Sequence, residues 1–266
     1  MSFSKIKLVL CDLDGTLLNS KKEVPAEFND ICKQLKQRGV LVGIATGRSF
    51  SSIERDFPEL AHTSAIIVEG GSCAFYRGKV IHEAVIDEKL AHQFIGAARK
   101  INGVTPIICH QACAYANYID NPDVIKQLET YYPRYELVNN IDSYASGSIK
   151  ITIYDPVDAN TNSYPEVEYM NKYLSVTVGA SDWVDCCVNG VNKGKALSEL
   201  MDYLNITSDE VMIFGDYLND ISMLEKVKYS VAMEDAHPDV KELCNYSCAS
   251  NDENGVILKL KEIFNL

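Results

Sequence analysis

Short apolar runs, each followed by a polar turn and a stretch with helical spacing, recur toward both ends of this chain. The run at 9–11 has the continuity of a buried strand, and it stops at Asp12. Residues 25–38 follow with helical spacing: Phe28, Ile31 and Leu35 share a face, Pro25 suits a first turn and Gly39 a stop. A run at 40–45 predicts the next strand, a helical stretch surrounds Ile53, and 65–68 predicts a third strand. Strand, helix, strand at this spacing implies a right-handed crossover and a parallel sheet. The same rhythm resumes late in the chain. It predicts a helix at 195–204, a strand at 211–214, a helix from Asn219, a strand at 229–232, a helix at 238–243 and a closing helix from Gly255.

Between these ends the texture changes. Residues 85–185 are rich in tyrosine and carry turns such as Asn139-Asn140, with strands predicted at 107–109 and 149–153 and helices at 90–100, 122–130 and 165–173. A stretch this long with its own elements reads as a separate α/β unit. The expected organisation is therefore a doubly wound, Rossmann-like parallel sheet from 1–84 and 186–266, interrupted by a smaller α/β domain at 85–185. No internal repeat or low-complexity tract breaks the pattern.

Composition narrows the classes. With 266 residues and 47% hydrophobic content the chain can bury a full core, and a net charge of -12 without a Lys or Arg run offers no footprint for nucleic acid or an anionic membrane. The N-terminal ten residues carry too short an apolar run for a signal peptide or a membrane span, so a cytoplasmic protein is expected. The nine cysteines, at 11, 32, 73, 109, 113, 186, 187, 244 and 248, are odd in number and several fall in apolar segments, which reads as reduced thiols. Cys109-His110-x-x-Cys113 is a Cys/His cluster without a zinc spacing. Cys186 and Cys187 should point to opposite faces of a strand. Oligomeric state is not legible.

Candidate chemistry collects where strands end. Asp12 and Asp14 flank Leu13 just beyond the first strand, the edge at which ligands gather in open α/β sheets. An aspartate can attack phosphorus, and a second one nearby can protonate the leaving oxygen. Gly15 permits a sharp bend and Thr16 adds a hydroxyl, although Asp-Gly is also ordinary turn chemistry. Thr46-Gly47-Arg48 emerges on the same edge; Arg48 suits a bidentate phosphate contact or plain solvent exposure. Asp216, Asn219 and Asp220 follow a later strand. Three close carboxylates repel unless a divalent cation joins them, and hard oxygen ligands favour Mg²⁺, while Asn219 or Asp220 could equally cap the next helix. Lys193, placed before a helix N-terminus, is unfavourable for the macrodipole and points to an anion partner, either a phosphate or the aspartates themselves.

Taken in order, these segments resemble the haloacid-dehalogenase-like hydrolase superfamily, and within it the Cof-like sugar-phosphate phosphatases. The resemblance rests on Asp12-Leu13-Asp14-Gly15-Thr16, Thr46-Gly47-Arg48, Lys193-Gly194-Lys195-Ala196-Leu197 and Gly215-Asp216-x-x-Asn219-Asp220. It extends to Val231-Ala232-Met233 and Asn251-Asp252-Glu253-Asn254-Gly255, and is weakest in the middle third. It implies that Asp12 is the nucleophile, that Asp14 is the general acid and later activates water, and that Thr46 and Lys193 bind the phosphoryl group. Gly47, Arg48 and Asn219 would border the substrate. Mg²⁺ would be held by the Asp12 carboxylate, the Asp14 backbone carbonyl and Asp216, with Asp220 acting directly, through water or through Lys193. The insert would be the large α/β cap that sets substrate selectivity, and the substrate a small phosphorylated metabolite.

Some positions depart from the family pattern. Gly70-Gly71-Ser72 after Glu69 replaces the common Asn-Gly-Ala, Tyr217 stands where a small or polar residue is usual, and Glu234-Asp235 replaces Gly-Asn. These bear on substrate choice. A phosphomutase, which passes the phosphoryl group to a sugar instead of water, and a non-enzymatic metabolite-binding module are the competing readings. In the insert, His110, Tyr115, Tyr118, Lys150, Asp182 and Trp183 are candidates to meet substrate, although packing is the favoured explanation of each.

Overall fold

The apolar run before Asp12 forms strand β1 (Leu8–Cys11), and none of its four residues is exposed. A short strand with no polar face can only sit inside a sheet that is covered on both sides. The computed structural model describes residues 3–266; Met1 and Ser2, at the head of the N-terminal segment read above, lie outside the described residues. The strands that follow are β2 (Leu41–Ala45), β3 (Ala65–Val68), β4 (Cys73–Tyr76), β5 (Lys79–Glu83), β6 (Thr105–Cys109), β7 (Ala114–Asn117), β8 (Tyr135–Val138), β9 (Lys150–Tyr154), β10 (Leu174–Ala180), β11 (Trp183–Val188), β12 (Val211–Gly215), β13 (Tyr229–Ala232) and β14 (Tyr246–Ser247).

They form two sheets. The larger runs β14-β13-β12-β1-β2-β3-β4-β5, parallel from β14 through β3 and antiparallel between β3 and β4. The chain begins at its middle, winds outward through β2 and β3, and later returns on the other side through β12. The point between β1 and β12 is thus the place where the winding reverses, and the crevice beyond the carboxyl ends of those strands is where an α/β sheet takes ligands. In-register pairing of Cys11 with Phe214 makes the two strands end together.

The helix predicted at 25–38 is trimmed to Phe28–Gln37, with Glu27 as its N-cap and Arg38 as its C-cap; Phe28, Ile31 and Leu35 are its buried face. The helix predicted at 195–204 starts two residues earlier, at Lys193, because the Asn192 side chain accepts the Lys195 N–H and caps it there. In place of one helix from Asn219 there is a 3-10 turn, Leu218–Asp220, followed by a single helical turn, Ile221–Leu224.

The chain divides into two compact units. The first takes residues up to Gly47, Pro58–His82 and Asn192–Leu266; the second takes Arg48–Phe57 and Glu83–Val191. The boundaries expected at 84 and 186 fall instead at 82 and 192, and one further segment changes unit. The segment Arg48–Phe57 joins the second unit, where Ser49 and Ser52 donate hydroxyl hydrogen bonds to the Tyr131 carbonyl. Strand β11, whose last residues were assigned to the core sheet, pairs with β9 and β10 and belongs wholly to the second unit.

The second unit is built on the sheet β10-β11-β9-β6-β7-β8. Its strands alternate: Ile108, Ile151, Ile153 and Val184 pack with Phe94 and Ile95 of the helix Glu88–Ala98, while Ile107, Cys109, Tyr154 and Trp183 pack with Val124 and Leu128 of the helix Pro122–Tyr131. All nine cysteines are free thiols; Cys186 is buried and Cys187 only partly so, as their adjacent places on one strand require. Among the described residues no helix is long and apolar enough to cross a membrane.

Leu10→Ala should open a cavity at the centre of the larger sheet and cost about 2–5 kcal/mol. The expected result is a lower urea midpoint with an unchanged slope; an unaltered midpoint would contradict the packing described for β1.

Candidate active site

Beyond β1 the ladder extends one residue further, the Asp12 N–H donating to the Phe214 carbonyl at 3.1 Å, so Asp12 leaves the sheet with its side chain almost buried. The chain then folds back on itself: the Leu17 N–H donates to the Asp12 carbonyl and the Leu18 N–H to the Leu13 carbonyl. Gly15 makes that bend at φ +88°, and a Cβ there would lie 2.3 Å from Asp216 Oδ2. Only glycine allows both the dihedral and the approach. The result delivers Thr16, whose hydroxyl donates to Asp216 Oδ1 at 2.9 Å.

From β12 comes the second acidic group. Asp220 is completely buried, and its Oδ2 accepts the backbone N–H groups of Asp216 at 3.1 Å and Tyr217 at 3.3 Å. It makes no side-chain cap for the helical turn after it, so the N-cap reading gives way to one in which Asp220 holds the preceding loop from behind. Its other oxygen, Oδ1, accepts Lys193 Nζ at 2.7 Å, and the same ammonium donates to Asp12 Oδ1 at 2.5 Å. The anion partner sought for Lys193 is therefore the pair of aspartates. Lys193 is the first residue of the helix Lys193–Leu204, pressed into place because a Cβ at Gly194 would meet the Ser222 carbonyl at 1.9 Å.

One carboxylate oxygen each from Asp12, Asp216 and Asp220 lies within 4.8 Å of the others. Burial pushes the Asp12 carboxyl up from its ordinary range; Lys193 opposes this, and the Asp220 and Asp216 carboxylates reinforce it. Burial likewise raises Asp216, to about 6, against the Thr16 hydrogen bond, with Asp220 and Asp235 adding to the rise. For Lys193 burial alone would lower the ammonium, but Asp12 and Asp220 outweigh it and push it up. One ammonium faces three carboxylates, so the cluster carries excess negative charge and presents hard oxygen donors, the donor set suited to a small divalent cation.

The other candidates make bonds outside this network. Thr46, at the end of β2, is buried, with its N–H on the Ile67 carbonyl and its own carbonyl receiving the Gly70 N–H; Gly47 next to it is exposed. Arg48 is in the second unit, its guanidinium 3.4 Å from Asp56. Asn219 is exposed. The Asp14 carboxylate is half-exposed and accepts Lys22 Nζ at 2.7 Å. Lys22 was not singled out from the sequence, although the polar stretch from Asn19 to Glu23 after Leu17-Leu18 is a turn signal. Of the departures, Glu69 is buried at φ +50°, and Tyr217 is exposed with its ring edge-on to His237, centroids 5.7 Å apart.

The candidates of the insert are largely packed within the second unit. His110 Nε2 meets the Tyr144 carbonyl at 2.8 Å, and Tyr115 stacks on Tyr144 at 3.9 Å. Lys150 is buried between Asp185, at 3.8 Å, and the Tyr132 ring. Trp183 lies among Tyr131, Tyr132 and Tyr154, the Asp182 carbonyl accepts the Asp155 N–H, and Tyr118 is exposed.

A family profile described as haloacid dehalogenase-like hydrolase matches residues 9–260. The chain is 28% identical over 257 residues to the Escherichia coli protein named 5-amino-6-(5-phospho-D-ribitylamino)uracil phosphatase YbjI, covering 95% of this chain and 94% of that one. It is 27% identical over 288 residues to Phosphatase YwpJ of Bacillus subtilis, covering 97% and 100%. Among solved structures, SMU.1108c from Streptococcus mutans superimposes with a TM-score of 0.82 at 27% identity, covering 98% of this chain and 100% of the other.

Lys193→Met leaves two buried carboxylates without their counter-charge, and the expected loss of stability at neutral pH is about 3–5 kcal/mol. Urea denaturation of the metal-free protein reads it directly; a variant as stable as the parent would show that the ion-pair network carries no such weight.

Proposed function

The chain belongs to the haloacid dehalogenase-like hydrolase family and is a phosphatase of that family, and on this premise we propose a Mg²⁺-dependent phosphomonoesterase acting on small phosphorylated metabolites, sugar or polyol phosphates first among them. The observation that carries the reading is the buried Asp12 carboxylate, held by Lys193 and gathered with Asp216 and Asp220. The E. coli relative supports the substrate class, since its name describes a phosphate on a ribityl chain.

In the proposed reaction the Asp12 carboxylate oxygen attacks phosphorus, an aspartyl phosphate forms, and the ester bond to the leaving oxygen breaks. Asp14 gives that oxygen its proton. Asp14, now ionised, takes a proton from the incoming water, whose oxygen attacks the same phosphorus; inorganic phosphate leaves and the Asp12 carboxylate is restored. Lys193 keeps Asp12 in line and offsets charge on the phosphoryl oxygens, with Thr46 assigned to the same group and Gly47 and Asn219 to its border. Arg48 is assigned to the same border; its guanidinium also meets Asp56. Asp12, Asp216, Asp220 and the Asp14 backbone carbonyl would hold Mg²⁺, which when bound neutralises phosphoryl charge as a Lewis acid. Substrate choice is assigned to the second unit. Nine free thiols fit a reducing compartment, and the cytoplasm is the proposed location.

Phosphate release across hexose, pentose, triose and polyol phosphates, with Mg²⁺ and with EDTA, tests this directly. Release is expected with Mg²⁺ only, and Asp12→Asn should lower kcat by about a thousandfold or more. Unchanged release by that variant would remove Asp12 as nucleophile.

The pH dependence of metal binding follows from Asp216. Its folded value near 6 lies above that of an unfolded aspartate, so the metal-free fold takes up a proton and gains stability from this group as pH falls through 6. Mg²⁺ requires the ionised form and displaces that proton. The rise in Tm on adding Mg²⁺ should therefore be large at pH 7.5 and shrink at pH 5; a rise equal at both would contradict Asp216 as a ligand.

A further inference from the structure

Three of the four aspartates at this edge are anchored by buried or part-buried bonds: Asp12 by Lys193, Asp216 by Thr16, and Asp220 by Lys193 and two backbone N–H groups. Asp14 is different. Its side chain is half-exposed, so an ordered contact from outside the bend narrows the rotamers open to it. Lys22, eight residues further on, meets it, with Nζ 2.7 Å from Asp14 Oδ1.

A flexible, largely exposed lysine orders nothing unless its own backbone is fixed, and here it is. The bend after Asp14 runs into a tight hairpin in which the Asn19 N–H donates to the Glu23 carbonyl and the Lys22 N–H to the Asn19 carbonyl. Asn19 Oδ1 accepts the N–H groups of both Lys21 and Glu23, at 2.9 Å each, and so organises the turn from inside. Lys22 takes φ +64°, a conformation that a side chain with a Cβ rarely adopts, and the turn tolerates it.

The entry to this hairpin is braced from the far end of the chain. Asn251, nearly buried, donates from Nδ2 to the Leu18 carbonyl at 2.7 Å, and the Ser20 N–H donates to Asp252 Oδ1 at 2.8 Å. Asn251-Asp252-Glu253-Asn254-Gly255, noted in the sequence without a chemical task, thus grips the turn that carries Lys22. Backbone carbonyl and N–H are both held, one residue to either side of Asn19.

We propose that Lys22 is a positioning residue for the Asp14 carboxylate, and that the Asn251–Asp252 turn is the brace that keeps it there. The inference rests on Asp14 as proton donor to the leaving group. It makes a distinction that a merely structural role would not. A leaving alkoxide needs that proton, whereas p-nitrophenolate is stable as an anion, so misplacing Asp14 should slow expulsion of the first far more than the second.

The test measures kcat/KM, which reports steps through departure of the leaving group, for glycerol phosphate and for p-nitrophenyl phosphate with saturating Mg²⁺. Lys22→Met should lose about tenfold or more on glycerol phosphate and under about twofold on p-nitrophenyl phosphate, with Lys22→Arg restoring most of the loss. Asp252→Ala, at an exposed side chain, should show a weaker loss of the same selectivity at unchanged Tm. Equal losses on both substrates would place Lys22 on the phosphate and overturn the proposal, as would activity equal to the parent on both. Asp14→Asn, measured alongside, separates the two levels: if it lacks the leaving-group dependence, Asp14 is not the proton donor; if it has the dependence and Lys22→Met does not, Lys22 is not its positioner.

Discussion

Everything at this edge of the sheet depends on one ammonium shared by two buried carboxylates. Lys193 is 1% exposed and bonds both Asp12 and Asp220. Charges removed from water to this degree persist only when paired at hydrogen-bond distance, and one lysine cannot neutralise three aspartates. The neighbourhood shows it: burial, reinforced by the Asp220 charge, raises Asp216, and two backbone N–H groups donate to Asp220. The same imbalance that would destabilise a structural core gathers hard oxygen donors suited to a cation.

That contact requires a particular topology. Asp12 and Lys193 stand 181 residues apart, and Thr16 and Asp216 stand 200 apart, because the second unit is inserted between the strands that carry them. The parallel pairing of β1 with β12 brings both strand ends to one level, after which short loops suffice. Gly15 and Gly194 then decide how closely those loops approach, the first against Asp216 and the second against the Ser222 carbonyl. Precision comes from tight backbone packing, and the charged groups inherit it.

Legibility followed burial. The strands β1, β2, β3, β12 and β13 are continuous apolar runs in a two-sided sheet, so their positions were readable within a residue or so. The hairpin β4 and β5 was not, since β5 is mostly part-exposed and its Arg77-Gly78 turn lacks the usual residue pair. In the second unit β7, β8 and β10 carry a weak signal because each has a half-exposed face, and the expected boundary at 186 cuts β11 because adjacency in sequence says nothing of which partner a strand will choose. At the site, Asp12, Asp216 and Asp220 are legible as carboxylates beyond strand ends and Lys193 as a cation at a helix N-terminus, whereas Lys22 is not, because its partner is fixed by a turn that Asn251 and Asp252 complete.

By itself the sequence determined which groups this protein has to work with, in what order, and that they lie at the carboxyl ends of parallel strands; these are local properties of periodicity, turn chemistry and charge. Only the tertiary structure decided which charge meets which: Lys193 with Asp12 and Asp220, Thr16 with Asp216, Lys22 with Asp14, and Arg48 with Asp56. The physical reason is that pairing and burial are set by register and packing between segments far apart in the chain. A carboxylate's charge state depends on those neighbours and not on its own place in the sequence.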